Sequence, residues 1–227
     1  MKETPIPFTG PMVRAILEDR KTQTRRVIKP QPHESIDRLH NNELRKRFPY
    51  PLEDDNGNPC GMGFQDADNR FWVCPYGQPG DRLWVKERFA LHKDSDRLSP
   101  KNAPKDCRFY FDEHGRQTGT NPRIGRWRSS RFMPRWHSRI DLEITAVRVE
   151  RVQDMEGAPE DALAEGIHSI PHGMNGTYYH AFRTDPDPKN WSCPVDAYRE
   201  LWDSINAKRG YGWDVNPWVW VIEFKRL

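Results

Sequence analysis

The chain has 227 residues and a net charge of +3, and its low hydrophobic share of 35% is offset by nine Trp, ten Phe and seven Tyr, whose rings remove large apolar areas from water when buried. A single domain over residues 1–227 is therefore expected, and twenty Pro with fifteen Gly exclude a helical bundle. No run reaches the roughly 20 apolar residues of a membrane span, and the N-terminal MKETPIPFTG lacks the apolar stretch of a signal peptide, so a cytoplasmic protein without a membrane partner is expected.

Taken in chain order, Pro5 to Thr9 predicts a short strand, and Thr9 then caps a helix carrying Val13, Ile16 and Leu17 on one face and ending near Asp19. Thr22 to Ile28 predicts a strand with Thr22, Thr24, Arg26 and Ile28 on one side, stopped by Pro30. Residues 29–77 are rich in Pro, Asn, Asp and Gly and read as a long insertion without a sustained element. After a turn at Pro79, Gly80 and Asp81 the residues alternate, so that Leu83, Val85 and Glu87 share one face. A carboxylate on the apolar side of a strand is costly unless it is paired or the core opens into a pocket there, which makes Glu87 a site candidate. The plain alternative is that Glu87 returns to water just past the strand.

A second irregular insertion covers residues 92–130. Ser138 to Val152 alternates with Ile140, Leu142 and Ile144 inward and then slips phase to Val147 and Val149, the pattern a β-bulge produces. Pro159 to Glu165 predicts a short helix with Glu160 and Asp161 in its first turn and Gly166 at its end. A third insertion covers 167–192. Pro194 to Lys208 is the clearest helix, with Val195, Tyr198, Leu201, Trp202 and Ile205 on one stripe, and Trp218 to Ile222 predicts a strand apolar on both faces. The order gives an α+β fold: a small β-barrel of one curled mixed sheet with flanking helices and long loop insertions.

Charge is concentrated. Arg20 to Lys29 holds five basic residues and no acid, and Arg123 to Arg139 holds six arginines and no acid, leaving −8 for the rest of the chain. The second stretch interleaves Arg128, Arg131 and Arg135 with Trp127, Phe132, Trp136 and His137, a mixture that suits phosphates and unstacked bases. The competing interpretation is a set of anchoring rings with a solvated arginine rim. Cys60, Cys74, Cys107 and Cys193 form no C-x-x-C pair, so neither a zinc ribbon nor a disulfide framework is supported, although Cys60 and Cys74 flank one irregular segment. His168, His172 and His180 share no ligand spacing with a carboxylate or cysteine. No metal or cofactor is expected.

The blocks AILEDRKTQTRR, PGDRLWVKE, ITAVRVERVQ with EDALAEGI, YRELWDSIN and NPWVWVIEF resemble the ASCH domain family of PUA-like β-barrels, and most of all its larger bacterial and prophage members. They cover about half the chain and leave out the three insertions. The resemblance implies RNA or modified nucleosides as partners and a cleft beside the segment that follows the first helix. It also implies amide hydrolysis of N4-acylated cytidines, as in very small ASCH proteins that use a Lys and a Thr of an R-K-T-x-T motif together with a Glu. Here that motif is Arg20, Lys21, Thr22, Gln23 and Thr24, and the Glu matched to the P-G-D strand is Glu87, giving Lys21, Thr24 and Glu87 as the catalytic set.

A threonine hydroxyl needs a neighbouring base to attack an amide, and Lys21 can supply one if a dry cleft and the positive charge of Arg20, Arg25 and Arg26 depress its pKa. Two further readings stay open. In one, Arg20, Arg25, Arg26, Trp127, Arg128, Arg131, Arg135 and Trp136 bind RNA without chemistry. In the other, the protein is a ribonuclease in which Lys21 stabilises phosphate charge and a histidine such as His137 carries protons.

Overall fold

The computed structural model describes residues 1–32, 49–53, 59–65, 70–112, 123–172, 176–182 and 189–227, and the fold is mixed α+β. Its centre is a five-stranded sheet in the order β1-β6-β10-β13-β2, built from β1 (Glu3–Pro7), β2 (Gln23–Val27), β6 (Arg82–Lys86), β10 (Asp141–Arg151) and β13 (Trp218–Arg226). β1 runs parallel to β6, and the remaining pairs are antiparallel. Among the described residues no ladder closes this sheet into a barrel, since β1 and β2 stand at its opposite edges. It is nevertheless curled enough for a side chain to bridge those edges: the Arg26 guanidinium on β2 donates to the Pro7 carbonyl of β1 at 2.8 Å.

The predicted phase slip is present as a break in register between Ile144 and Ala146 of β10 against β13. A bulge bends a strand and raises its local twist, which serves the curl. β13 is buried on both faces because it separates two cores. Trp218, Trp220, Ile222 and Phe224 pack into one with β1, β6, β10 and helix α1 (Gly10–Leu17), while Val219 and Val221 pack into the other under α2 (Pro159–Ala164) and α3 (Pro194–Asn206). On α3 the predicted stripe holds, with Val195, Tyr198, Leu201 and Trp202 buried.

The stretches expected to be irregular contain small sheets. The first holds β3 (Tyr50–Glu53), β4 (Pro59–Gln65) and β5 (Phe71–Val73); β7 (Phe89–His92) pairs with β8 (Phe109–Phe111) and β9 (Ile124–Arg128); β11 (His168–His172) and β12 (Gly176–His180) make a hairpin. These strands are short and carry Pro51, Pro59, Gly61 and Gly63, residues that weaken any strand signal in a sequence. Among the described residues no helix is long and apolar enough to cross a membrane. The suggested approach of Cys60 to Cys74 involves a side chain outside the described residues, and so does His172. Cys74 is buried, which pushes its thiol up to about 11.

Candidate active site

The site begins where α1 ends. Asp19 takes a left-handed conformation with φ 56°, and the amides of Arg20 and Lys21 then both reach the Ala15 carbonyl at 2.9 and 3.0 Å. This turn delivers the chain to the end of α2, where Lys21 forms a β-bridge with Glu165 and the Thr22 amide donates to the Ala164 carbonyl at 2.9 Å. Gly166 permits the close approach. It has φ +97°, and a Cβ there would meet Ala15 Cβ at 3.0 Å and Lys21 Cβ at 3.2 Å.

Lys21 is buried, and its ammonium donates to both the carbonyl and the carboxylate of Glu165 at 2.7 Å each. Burial lowers the Lys21 pKa, Glu165 opposes the shift, and Arg26 and Arg25 add to it, with a net direction downward. Arg25 is fully enclosed. Its guanidinium lies 2.6 Å from Asp161, 3.3 Å from Glu150 and 3.4 Å from Glu165, and Arg148 extends the network to Asp161, Glu150 and Glu223. Burial works against the Arg25 cation, but Glu165, Tyr198, Glu150 and Asp161 outweigh it and raise its pKa.

Alternation along β2 separates these roles. Thr24 and Arg26 sit opposite Ile222 and Trp220, on the side of the core shared with β1 and α1, whereas Arg25 sits opposite Val221, on the helix side. Because β2 is an edge strand, a cleft of about 330 Å³ runs along it and receives residues from both sides. Thr24, Arg26, Lys29, Glu165, Tyr198 and Asn206 line it, with Arg209 at the end of α3. Tyr198 and Asn206 are buried polar residues on α3, and burial keeps the Tyr198 phenol protonated well above its ordinary range. Arg26, Lys29 and Arg209 meet no carboxylate among the described residues. This volume and lining fit a nucleoside-sized ligand with several polar groups.

The expectation for Glu87 is corrected. It is buried one residue past the end of β6, where its amide meets Met133 Sδ, but both of its carboxylate oxygens are held by Arg139 at 2.9 Å, and the carboxylate facing Lys21 is that of Glu165. Glu165 was legible only as the end of a helix. A signal was available: an acid in the last turn of a helix opposes the helix dipole and calls for a cation beside it. Tyr198, Asn206 and Arg209 had no such signal, since a helix stripe and its C-terminal basic turn are ordinary features.

The structure divides the expected nucleic-acid contacts. Arg25 and Arg26 reach the cleft, while Arg20 is held by Glu18 at 2.5 Å and by the Gly166 carbonyl at 3.1 Å. In the second stretch Arg128 pairs with Asp96 at 2.7 Å, and Arg135 pairs with Glu3 and Asp141 at 3.0 Å each. Trp127 lies beneath Arg88 and, with Arg128 and Phe132, lines a separate hollow of about 440 Å³. Arg131 is exposed, and Trp136 packs edge-on against Phe109. His137 is buried, its Nε2 meets no partner among the described residues, and burial pushes the imidazole down to about 4. Among the described residues no three His, Cys, Asp or Glu side chains form a cluster able to hold a metal.

Compared with models of known families, with curated proteins and with solved structures, the chain matches none.

Proposed function

We propose that the protein is an ASCH-type, RNA- or modified-nucleoside-binding protein with a PUA-like curled sheet, and that its cleft hydrolyses the amide of an N4-acylated cytidine through Lys21, Thr24 and Glu165. The observation that carries this reading is the buried Lys21–Glu165 pair at 2.7 Å, with Glu165 and Thr24 lining one cleft. In this reaction Thr24 Oγ1 attacks the amide carbonyl and its hydroxyl proton passes to neutral Lys21 by way of the Glu165 carboxylate, which lines the cleft where the enclosed Lys21 does not. The resulting ammonium returns that proton by the same route to the exocyclic nitrogen as the C–N bond breaks, cytidine leaves, and water then cleaves the Thr24 ester to release the carboxylic acid. Glu165 positions Lys21 and stabilises its ammonium after proton uptake. The depressed Lys21 pKa favours the neutral amine that the first step needs.

Purified protein incubated with N4-acetylcytidine tests this. Wild type releases cytidine, and Thr24→Val, which keeps the shape of the side chain, lowers turnover by about 10²-fold or more, as Lys21→Met also does. Equal turnover by wild type and Thr24→Val overturns the assignment. A second reading, binding without chemistry, draws on the cations Arg26, Lys29 and Arg209 around the cleft. It predicts nucleotide affinity that falls with salt and no product. For the ribonuclease reading, His137 is buried and outside the cleft lining, so a histidine other than His137 would have to carry the proton at this cleft.

A further inference from the structure

Beside the cleft, at the end of β2 away from Lys21, lies a second hollow of about 300 Å³ lined by Ile28, Trp72, Val73, Pro75 and Trp220. The two share a wall made by Val27, Lys29 and Tyr76. Their linings differ in kind. The cleft offers Thr24, Glu165, Tyr198 and Asn206, groups able to read the edges of a base. The hollow offers the rings of Trp72, Tyr76 and Trp220 and, among the described residues, no carboxylate, a surface that stacks a planar group without reading it.

Charge selects the occupant. Among the described residues the single carboxylate in the two linings, Glu165, is already met by Lys21 and Arg25, so Arg26, Lys29 and Arg209 make the described part of the groove positive. The exposed Lys29 belongs to both linings, where an anion joining two occupants would lie. An acyl group on the reacting amide does not reach this hollow. Val27 is three residues from Thr24 along an extended strand, or about 10 Å.

We propose that the groove takes two consecutive nucleotides of single-stranded RNA: the reacting base in the cleft, its neighbour stacked in the hollow, and the phosphate between them on Lys29. This rests on the reading of the cleft as a nucleoside site and makes the substrate a modified base within a strand.

The test is competition against a fluorescein-labelled pentaribocytidylate, followed by anisotropy, with cytidine 5′-monophosphate and unlabelled pentaribocytidylate as competitors. Wild type is expected to prefer the pentamer by about tenfold or more, the contribution of one stacked base and one phosphate contact. Trp72→Leu and Lys29→Gln should each reduce that preference by about fivefold. A ratio between competitors cancels losses of folded protein common to both. Equal affinity for the two competitors, or a preference unchanged in both variants, overturns the proposal. Turnover of N4-acetylcytidine, measured alongside, separates the two readings. Turnover without pentamer preference removes the two-nucleotide groove and keeps the hydrolase, whereas pentamer preference without turnover removes the hydrolase and keeps the groove.

Discussion

In the stretch from Arg20 to Lys29, Lys21 and Arg25 are buried against carboxylates brought from α2, its C-terminal cap and β10, while Arg26 and Lys29 border the cleft with no acid beside them among the described residues. In the stretch from Arg123 to Arg139, Arg128, Arg135 and Arg139 each meet carboxylates from elsewhere in the chain, namely Asp96, Glu3 with Asp141, and Glu87. The two stretches look alike in sequence, each basic and free of acid. They differ in what the fold sets against them. In the second, three arginines are spent on tying β6, β9 and β10 to neighbouring segments. In the first, buried pairs hold the chain in place and let the adjacent cations face a ligand. Local charge density therefore marks where positive side chains start but not whether they remain available.

The largest expected effect separates the two buried carboxylates. Glu165 serves two enclosed cations, so Glu165→Gln leaves Lys21 and Arg25 undercompensated away from water and should cost about 3–5 kcal/mol of stability. Glu87 serves Arg139, whose side chain is 32% exposed and can turn to solvent. Glu87→Gln should cost less, about 1.5–3 kcal/mol. Urea unfolding of the two variants at neutral pH decides this, and equal costs would erase the distinction between the regions.

Much of this difference was invisible beforehand for a physical reason. The α+β class, α1, the strand after the Gly80 turn, the bulge in β10 and the stripe of α3 all follow from periodicity within a segment, and the structure contains each of them. The small sheets over the first two insertions depend on pairing between short segments distant in sequence, and so does the choice of carboxylate for Lys21. Alternation pointed Glu87 to a buried face, and it is buried one residue past the end of its strand, but the pattern carried no information about Arg139. Glu165 lay at a helix end where its charge was unfavourable, yet its partner lay 144 residues away.

A smaller effect concerns ligand affinity. Because Arg26, Lys29 and Arg209 at the cleft meet no carboxylate among the described residues, the double variant Lys29→Gln, Arg209→Gln should weaken pentaribocytidylate binding by about tenfold at low salt. It should also flatten the salt dependence by about 0.7 in slope for each cation removed. Arg135→Gln, which removes a cation already shared by Glu3 and Asp141, should change affinity by less than about twofold. The opposite ranking would move the ligand surface to the second stretch.

The smallest effect is a difference in pH response. Lys21 and His137 both have pKa values lowered chiefly by burial, so in each case the unfolded chain binds more protons than the folded one between the shifted and the ordinary value. Stability then rises with pH in both windows, but the windows differ. For Lys21 the window lies below its ordinary 10.5, and for His137 it runs from about 4 to 6.5. Stability contributed by neutral His137 is complete above 6.5 and is lost as the pH falls toward 4. Carboxylates titrate over part of the same range, so the informative quantity is the difference between wild type and His137→Leu in urea midpoints taken from about pH 7.5 down to about pH 4.5. Wild type should lose more than the variant, because the variant has no imidazole to protonate on unfolding. Parallel losses would mean that the imidazole accepts a proton without unfolding, so that burial does not hold His137 neutral.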